Sequence, residues 1–246
     1  MRLDQLLVER GLFASREQAR RAVMAGIVEV DGRRVDKAGT AVPEAARLAV
    51  LAPREPFVSR AGRKLAAALD HFGVDPAGRV CLDVGASTGG FTDCLLQRGA
   101  ARVYALDVGY GQLDARLRQD PRVVVLERVN ARHLSPGDLP EPMHLMTVDV
   151  SFISLAKVVP ALLPHLAPGG RLLPMIKPQF EAGRGQVGKG GILRDEARRE
   201  QVIQAAAESL TGLGLTLLGR FDSPVAGMGG NREAFVLLCR PEGHPE

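Results

Sequence analysis

The segment Cys81-Leu82-Asp83-Val84-Gly85-Ala86-Ser87-Thr88-Gly89-Gly90-Phe91 reads as a strand, a glycine turn and the start of a helix. Glycines let the backbone turn tightly and approach a bound molecule. The first strand-to-helix crevice of an open parallel sheet is a ligand position. A dinucleotide fingerprint needs G-x-G-x-x-G, so that its second glycine can meet a pyrophosphate. Ser87 takes that place here and breaks the fingerprint. Asp83, at the strand end, would repel a phosphate and suits a cationic aminoacyl group. S-adenosylmethionine (SAM) carries that group and has no phosphate. Asp107 ends the next strand, where a carboxylate accepts from ribose hydroxyls. Asn130, after the third strand, is a candidate contact for the adenine. The plainer alternative is a structural glycine turn beside two solvated acids.

Two further residues suit the chemistry of an electrophilic methyl. Asp149 ends the run Leu145-Met146-Thr147-Val148, and Lys177 ends Leu173-Pro174-Met175-Ile176. A hydroxyl is a weak nucleophile and needs a base, or a field that stabilises alkoxide character. A lysine does this work when burial or its neighbours tune it. A lone charge at a strand end is most often solvated. A carboxylate and an amine on adjacent strands, both beside the nucleoside crevice, form a candidate pair. Gly183-Arg184-Gly185-Gln186-Val187-Gly188-Lys189-Gly190 imitates a phosphate loop. Gly190 stands where the magnesium-binding hydroxyl is required, so the expectation is a mobile loop over the site.

The elements that must hold these residues follow from periodicity. Leu3 to Arg10 has helical spacing and stops at Gly11. Ser15-Arg16-Glu17-Gln18 is a capping box that opens a helix to about Ala25. Ala19, Ala22 and Val23 face inward and leave Arg16, Arg20 and Arg21 outside. Ile27 to Val30 alternates as a strand, Asp31-Gly32 signals a hairpin, and Arg33 to Val35 returns. Leu48 to Leu51 is a third short strand. Residues 1–52 thus form a small α+β unit, residues 53–58 a linker, and residues 59–246 a second domain. In the second domain, strands at Val80–Val84, Val103–Asp107, Val123–Glu127, Leu145–Asp149 and Leu172–Ile176 alternate with helices. A longer helix spans residues 195–213, and strands at Thr216–Arg220 and Phe235–Cys239 form an antiparallel edge. The fold class is α/β: a mostly parallel, Rossmann-like, seven-stranded sheet with helices on both faces.

Charge separates the two parts. Residues 1–64 hold 13 Lys and Arg against 8 Asp and Glu, and the remainder holds 19 against 20. A basic module beside a neutral one points to a polyanion partner. Arg16, Arg20, Arg21, Arg33, Arg34 and Lys37 are its candidate phosphate contacts. Aromatic residues make up 4% of the chain, too few for an extended base-stacking platform. Cys81, Cys94 and Cys239 are dispersed and read as small buried hydrophobes. No metal-ligand spacing, signal peptide or membrane-spanning run is evident, which leads to the expectation of a cytoplasmic chain without a metal.

Several segments carry a family resemblance. Residues 1–60 resemble the alpha-L, S-four-type RNA-binding domain through Arg2-Leu3-Asp4, Ser15-Arg16 and the glycine pattern from Gly26 to Gly32. The rest resembles the FtsJ-like 2′-O-methyltransferases. The whole is similar to the TlyA, or hemolysin A-like, ribosomal RNA methyltransferases. The specific segments are Phe57-Val58-Ser59-Arg60, Asp83 to Thr92, Asp107 to Gln112, Asp149 to Ser154 and Lys177 to Glu181. The resemblance implies SAM as cofactor, with Asp83, Gly85, Ser87, Gly89, Gly90, Phe91, Thr92, Asp107, Asn130 and Asp149 about it. It also implies a Lys-Asp-Lys-Glu tetrad on Lys64, Asp149, Lys177 and Glu233, with Lys177 as base or alkoxide stabiliser. The reaction implied is cytidine 2′-O-methylation on ribosomal RNA or ribosomal subunits, with no DNA or membrane partner and with Arg2 among the RNA contacts. Met228-Gly229-Gly230 departs from the usual turn ahead of Asn231. Rival readings are a non-catalytic RNA-binding protein, a membrane-active hemolysin and an NAD-dependent oxidoreductase.

Overall fold

The computed structural model describes residues 1–24, 26–51, 56–183, 188, 191–227 and 230–242. The chain divides into two compact units, Met1–Glu55 and Pro56–Glu246. Residues 53–55, the first half of the expected linker, most of the expected 183–190 loop, and Met228 and Gly229 lie outside the described residues.

The first unit packs helices α1 (Leu3–Glu9) and α2 (Arg16–Met24) on a three-stranded antiparallel sheet. Its strands are β1 (Val28–Val30), β2 (Arg33–Arg34) and β3 (Leu48–Val50), in the order β2-β1-β3. Ser15 Oγ accepts from the Gln18 amide at 3.3 Å, which is the first half of the capping box read from sequence. Asp31 (φ 50°) and Gly32 (φ 78°) are both left-handed, as a two-residue hairpin of matching twist requires. Leu3, Leu6, Leu7, Ala19, Val23 and Val28 form the core.

The second unit begins with α3 (Ala61–Phe72). Alternating units follow: β4 (Val80–Val84), α4 (Gly90–Gln97), β5 (Arg102–Asp107), α5 (Ala115–Arg118), β6 (Val123–Glu127), β7 (Met143–Val148) and α6 (Leu155–Leu162). They lead into β8 (Leu166–Ile176), α7 (Pro178–Glu181), α8 (Glu196–Thr211), β9 (Thr216–Asp222) and β10 (Ala234–Cys239). The sheet runs β6-β5-β4-β7-β8-β10-β9. β10 is antiparallel to both its neighbours, β8 and β9, and the other pairings are parallel. Alternate side chains along each strand enter opposite cores, as the two-residue period dictates. Leu82, Met146, Leu172 and Val236 pack with α6 and α8 on one face. Cys81, Leu145, Leu173 and Phe235 pack with α3 and α4 on the other. Cys94 is also buried, and Cys239 is partly buried.

Several boundaries differ from the sequence reading by a residue or more, and two of them bear on the site. β8 starts at Leu166, because Pro168, Gly169 and Gly170 enter the strand instead of ending a loop before it. β7 ends at Val148, so Asp149 stands just past the strand.

Candidate functional site

Parallel strands bring their carboxyl ends to one edge of the sheet. β10 runs the other way, so its first residues reach that same edge. The ends of β4, β5, β7 and β8 and the start of β10 therefore gather Gly85, Asp107, Asp149, Lys177 and Glu233. Ala234 pairs with Ile176, and Glu233 and Lys177 lie one position beyond that pair on their two strands.

The glycine turn passes close to the segment after β7. Gly85 has φ 85°, and a Cβ there would run into the Asp149 carbonyl. The Asp149 amide donates to the Val84 carbonyl at 2.8 Å, which fixes the crevice floor. Asp107 is half-buried, with Oδ2 accepting from the Ser87 amide at 2.8 Å and Oδ1 from the Gly109 amide at 2.7 Å. A carboxylate offers about four lone-pair sites, so capacity remains for ribose hydroxyls. No cation is aimed at this turn by any of these bonds. The donor set fits a nucleoside with hydroxyls to satisfy and no phosphate to neutralise.

Asp83 is a correction. Its place in the sequence motif predicts a contact with an aminoacyl cation, whereas its side chain is wholly buried. Thr92 Oγ1 donates to Asp83 Oδ2 at 2.7 Å, and Thr147 Oγ1 lies 3.4 Å from Oδ1. Burial pushes the Asp83 carboxyl up to about 7, against the hydrogen bond from Thr92. The physical reason is strand alternation: Asp83 pairs with Thr147 and points into the α3–α4 face. Phe91 and Thr92 are buried as well, with the Phe91 ring 6.1 Å from that of Phe235. These three residues support the turn from beneath. Gly89 (φ 98°) opens α4, and Gly90 leaves room for Ser59 and Ala61. Asn130 is exposed, and its Oδ1 accepts from the Arg132 amide at 3.1 Å.

Two ion pairs occupy the rest of the edge. Lys177 Nζ lies 2.6 Å from Asp149 Oδ1 and donates to Ser151 Oγ at 2.9 Å. Lys64 Nζ, from the first turns of α3, donates to Glu233 Oε2 at 2.5 Å. Lys64 and Glu233 are only 11% and 3% exposed, so salt screens this pair far less than a surface one. Gly227 packs against the Glu233 carboxylate, and a Cβ there would strike Oε1. Asn231 Oδ1 accepts from the Leu193 amide at 3.1 Å, and its Nδ2 donates to the Gly191 carbonyl at 2.9 Å. From behind, buried Arg199 of α8 donates to the Arg232 carbonyl at 3.0 Å and meets Asp222 at 2.9 Å. The sequence singles out neither Ser151, a hydroxyl one residue past a valine, nor Arg199, one of several charges in the first turns of a helix.

In the first unit, Arg16, Arg20, Arg21, Arg33, Arg34 and Lys37 are exposed. Arg2 and Arg16 are also exposed but converge on buried Asp4, at 3.1 Å and 3.0 Å. The hydrogen bond from Arg2, joined by Arg16, holds the Asp4 carboxyl down to about 2. Both guanidiniums are thereby oriented, with further N–H groups facing solvent. No group of three or more metal-ligating side chains occurs among the described residues. No described helix is long and apolar enough to cross a membrane.

Comparison with known proteins agrees with this architecture. Residues 57–240 match the FtsJ-like methyltransferase family, and residues 1–48 match the S4 domain. The 16S/23S rRNA (cytidine-2′-O)-methyltransferase TlyA of Mycobacterium tuberculosis is 49% identical over 96% of this chain and 89% of its own length. Hemolysin A of Brachyspira hyodysenteriae is 42% identical over 95% of this chain and 97% of its own. A solved Streptococcus thermophilus protein, designated a hemolysin, superposes with a TM-score of 0.75 at 41% identity. That likeness covers 99% of this chain and 89% of the other. The chain belongs to the FtsJ-like methyltransferase family, with an S4 domain preceding the methyltransferase fold.

Proposed function

We propose that the protein transfers the methyl group of SAM to the 2′-hydroxyl of a cytidine in ribosomal RNA. The observation that carries the reading is the pairing of Lys177 with Asp149 beside the glycine turn. The 49% identity to an rRNA (cytidine-2′-O)-methyltransferase supports the substrate. When bound, SAM supplies an electrophilic methyl whose sulfonium becomes a neutral thioether.

The Gly85–Gly90 turn would admit the nucleoside, Asp107 would accept from its ribose hydroxyls, and Asn130 would border the adenine. Lys177 would act on the attacking 2′-oxygen as base or as stabiliser of its developing negative charge. Asp149 and Ser151 hold the Lys177 ammonium in place. Lys64 and Glu233 would position the substrate ribose. Such pre-set geometry is where most of the rate of a displacement can arise.

Arg2, Arg16, Arg20, Arg21, Arg33, Arg34 and Lys37 would contact phosphates, which position RNA without reading its sequence. The reaction belongs to the cytoplasm, where ribosomal subunits are found.

The test is transfer of label from radioactive SAM to unmodified ribosomal subunits, comparing the wild type with Lys177→Ala. Label on cytidine ribose with the wild type, lost in a variant that still binds SAM, is the expected result. SAM binding without label on either subunit or on free ribosomal RNA would overturn the assignment in favour of an RNA-binding protein.

A further inference from the structure

The segment after Asp149 and the segment after Lys177 run beside each other and touch at successive positions. Lys177 meets Asp149 and Ser151. The Phe152 and Phe180 rings lie 4.9 Å apart. Glu181 closes the series: its Oε2 accepts from Ser154 Oγ at 2.6 Å, and its Oε1 accepts from the Leu155 amide at 2.8 Å.

Glu181 is thus the far end of a clamp whose near end is the Lys177–Asp149 pair. It is joined rigidly to Lys177, because the Phe180 and Glu181 amides both donate to the Lys177 carbonyl, at 2.8 and 3.2 Å. Pro178 starts that single turn with its φ already fixed. On the other side, Ser154 caps α6 and Leu155 is the first residue of that helix. A carboxylate at this place satisfies an amide that the helix cannot, and it lies at the favourable end of the helix dipole.

The clamped segment has reason to need an anchor. Phe152 is 85% exposed and holds φ 64°, a left-handed conformation that a residue with a bulky side chain rarely keeps unless its surroundings impose it. Val150 and Ile153 on either side of Phe152 pack against the core, and hydrogen bonds hold the segment at its two ends. One end is the Asp149 amide on β4, and the other is Glu181.

We propose that Glu181 is a positioning residue for methyl transfer: by holding Ser154 and Leu155 it sets Asp149 and Ser151 against Lys177. This rests on the reading of Lys177 and Asp149 as the catalytic pair. Glu181 acts only through that pair. Its loss should therefore lower kcat and leave the cofactor crevice intact.

The experiment compares Glu181→Ala, Glu181→Gln, Ser154→Ala and Lys177→Ala by methyl transfer to unmodified subunits, with SAM affinity measured by calorimetry. Glu181→Ala is expected to lower kcat roughly 10- to 100-fold, the scale of a small misplacement of reacting groups. KM and SAM affinity should stay within about twofold, since the differential loss falls on the transition state. Glu181→Gln keeps one acceptor oxygen and should recover part of kcat, and Ser154→Ala should lose less than Glu181→Ala. An unchanged kcat in Glu181→Ala beside an inactive Lys177→Ala overturns the positioning role alone. Activity retained in Lys177→Ala overturns the catalytic pair on which it rests. A fall in SAM affinity that parallels the fall in kcat also overturns it, because Glu181 would then support the fold at large.

Discussion

Lys64 and Glu233 are separated by 169 positions in the chain, and Lys64 Nζ donates to Glu233 Oε2 at 2.5 Å. The contact exists because β10 inserts antiparallel between β8 and β9, which delivers its first residues to the edge where the parallel strands end. α3 brings the lysine to it from the face packed with α4. Removing one partner of such a buried pair leaves an uncompensated charge and costs about 3–5 kcal/mol. Glu233→Ala and Lys64→Ala should each lower the melting temperature by several degrees. The double variant Lys64→Met with Glu233→Leu should regain most of that stability, since a buried pair can be replaced by packed hydrophobic groups. It should not regain methyl transfer. A double variant as active as the wild type would reduce the pair to a structural contact.

Lys177→Arg tests the nature of the second pair. An arginine keeps the positive charge beside Asp149 but is larger, planar and permanently protonated. If Lys177 must take the hydroxyl proton, the single-turnover rate should fall roughly 10²- to 10⁴-fold, the usual worth of a positioned base. SAM affinity should be unchanged. A rate within about tenfold of the wild type would show that a fixed positive charge near the oxygen suffices.

Asp83 makes the fold sensitive to pH. Its carboxyl titrates near 3.8 when unfolded and is pushed up to about 7 by burial when folded. The unfolded chain thus releases this proton first as pH rises. The favourable contribution is fully present below the unfolded value and is lost as pH rises through the folded one. Asp83→Asn cannot ionise and keeps an acceptor for Thr92. It should melt higher than the wild type near pH 8, with a gap that closes as pH falls to about 4. Melting curves across that range decide it, and a gap independent of pH would mean that Asp83 stays ionised in its pocket.

These residues differ in how far the sequence exposed them, for physical reasons. Asp107 ends an apolar strand run, and Asp149 and Lys177 each directly follow one, so periodicity alone places them at the sheet edge. The glycine turn declares itself because few other residues accept its backbone angles. Lys64 and Glu233 have no such local signature. One lies in the first turns of a helix and the other follows a glycine-rich turn, and only the reversal of β10 joins them. The family resemblance, not the residue pattern, pointed to both. Asp83 misled for the opposite reason. Its place in the motif suggested a ligand contact, whereas strand alternation turns it into the core beside Thr147. Glu181 stayed silent because a carboxylate four residues past Lys177 has no pattern until α6 is seen to start against it.

The S4 domain offers a separable prediction. Arg2 and Arg16 are tied to Asp4, so reversing either charge would disturb the packing of α1 on α2 as well as any RNA contact. Arg20 and Arg21 are cleaner probes. Both are exposed on α2, and Arg21 has only a 3.9 Å surface contact with Glu17. Exposed pairs of that kind contribute under about 1 kcal/mol. Arg20→Glu with Arg21→Glu should therefore leave the melting temperature and SAM affinity near wild type. If both residues neutralise phosphates, RNA affinity should fall, and so should the steepness of its salt dependence. Each lost phosphate contact on a duplex should reduce the slope of log affinity against log salt by about 0.9. Binding titrations at several salt concentrations separate this from a general loss of charge attraction, which would weaken binding without removing whole contacts from the slope. An unchanged affinity and slope would move the docking surface away from α2, toward Arg33, Arg34 and Lys37 on the other side of the hairpin sequence.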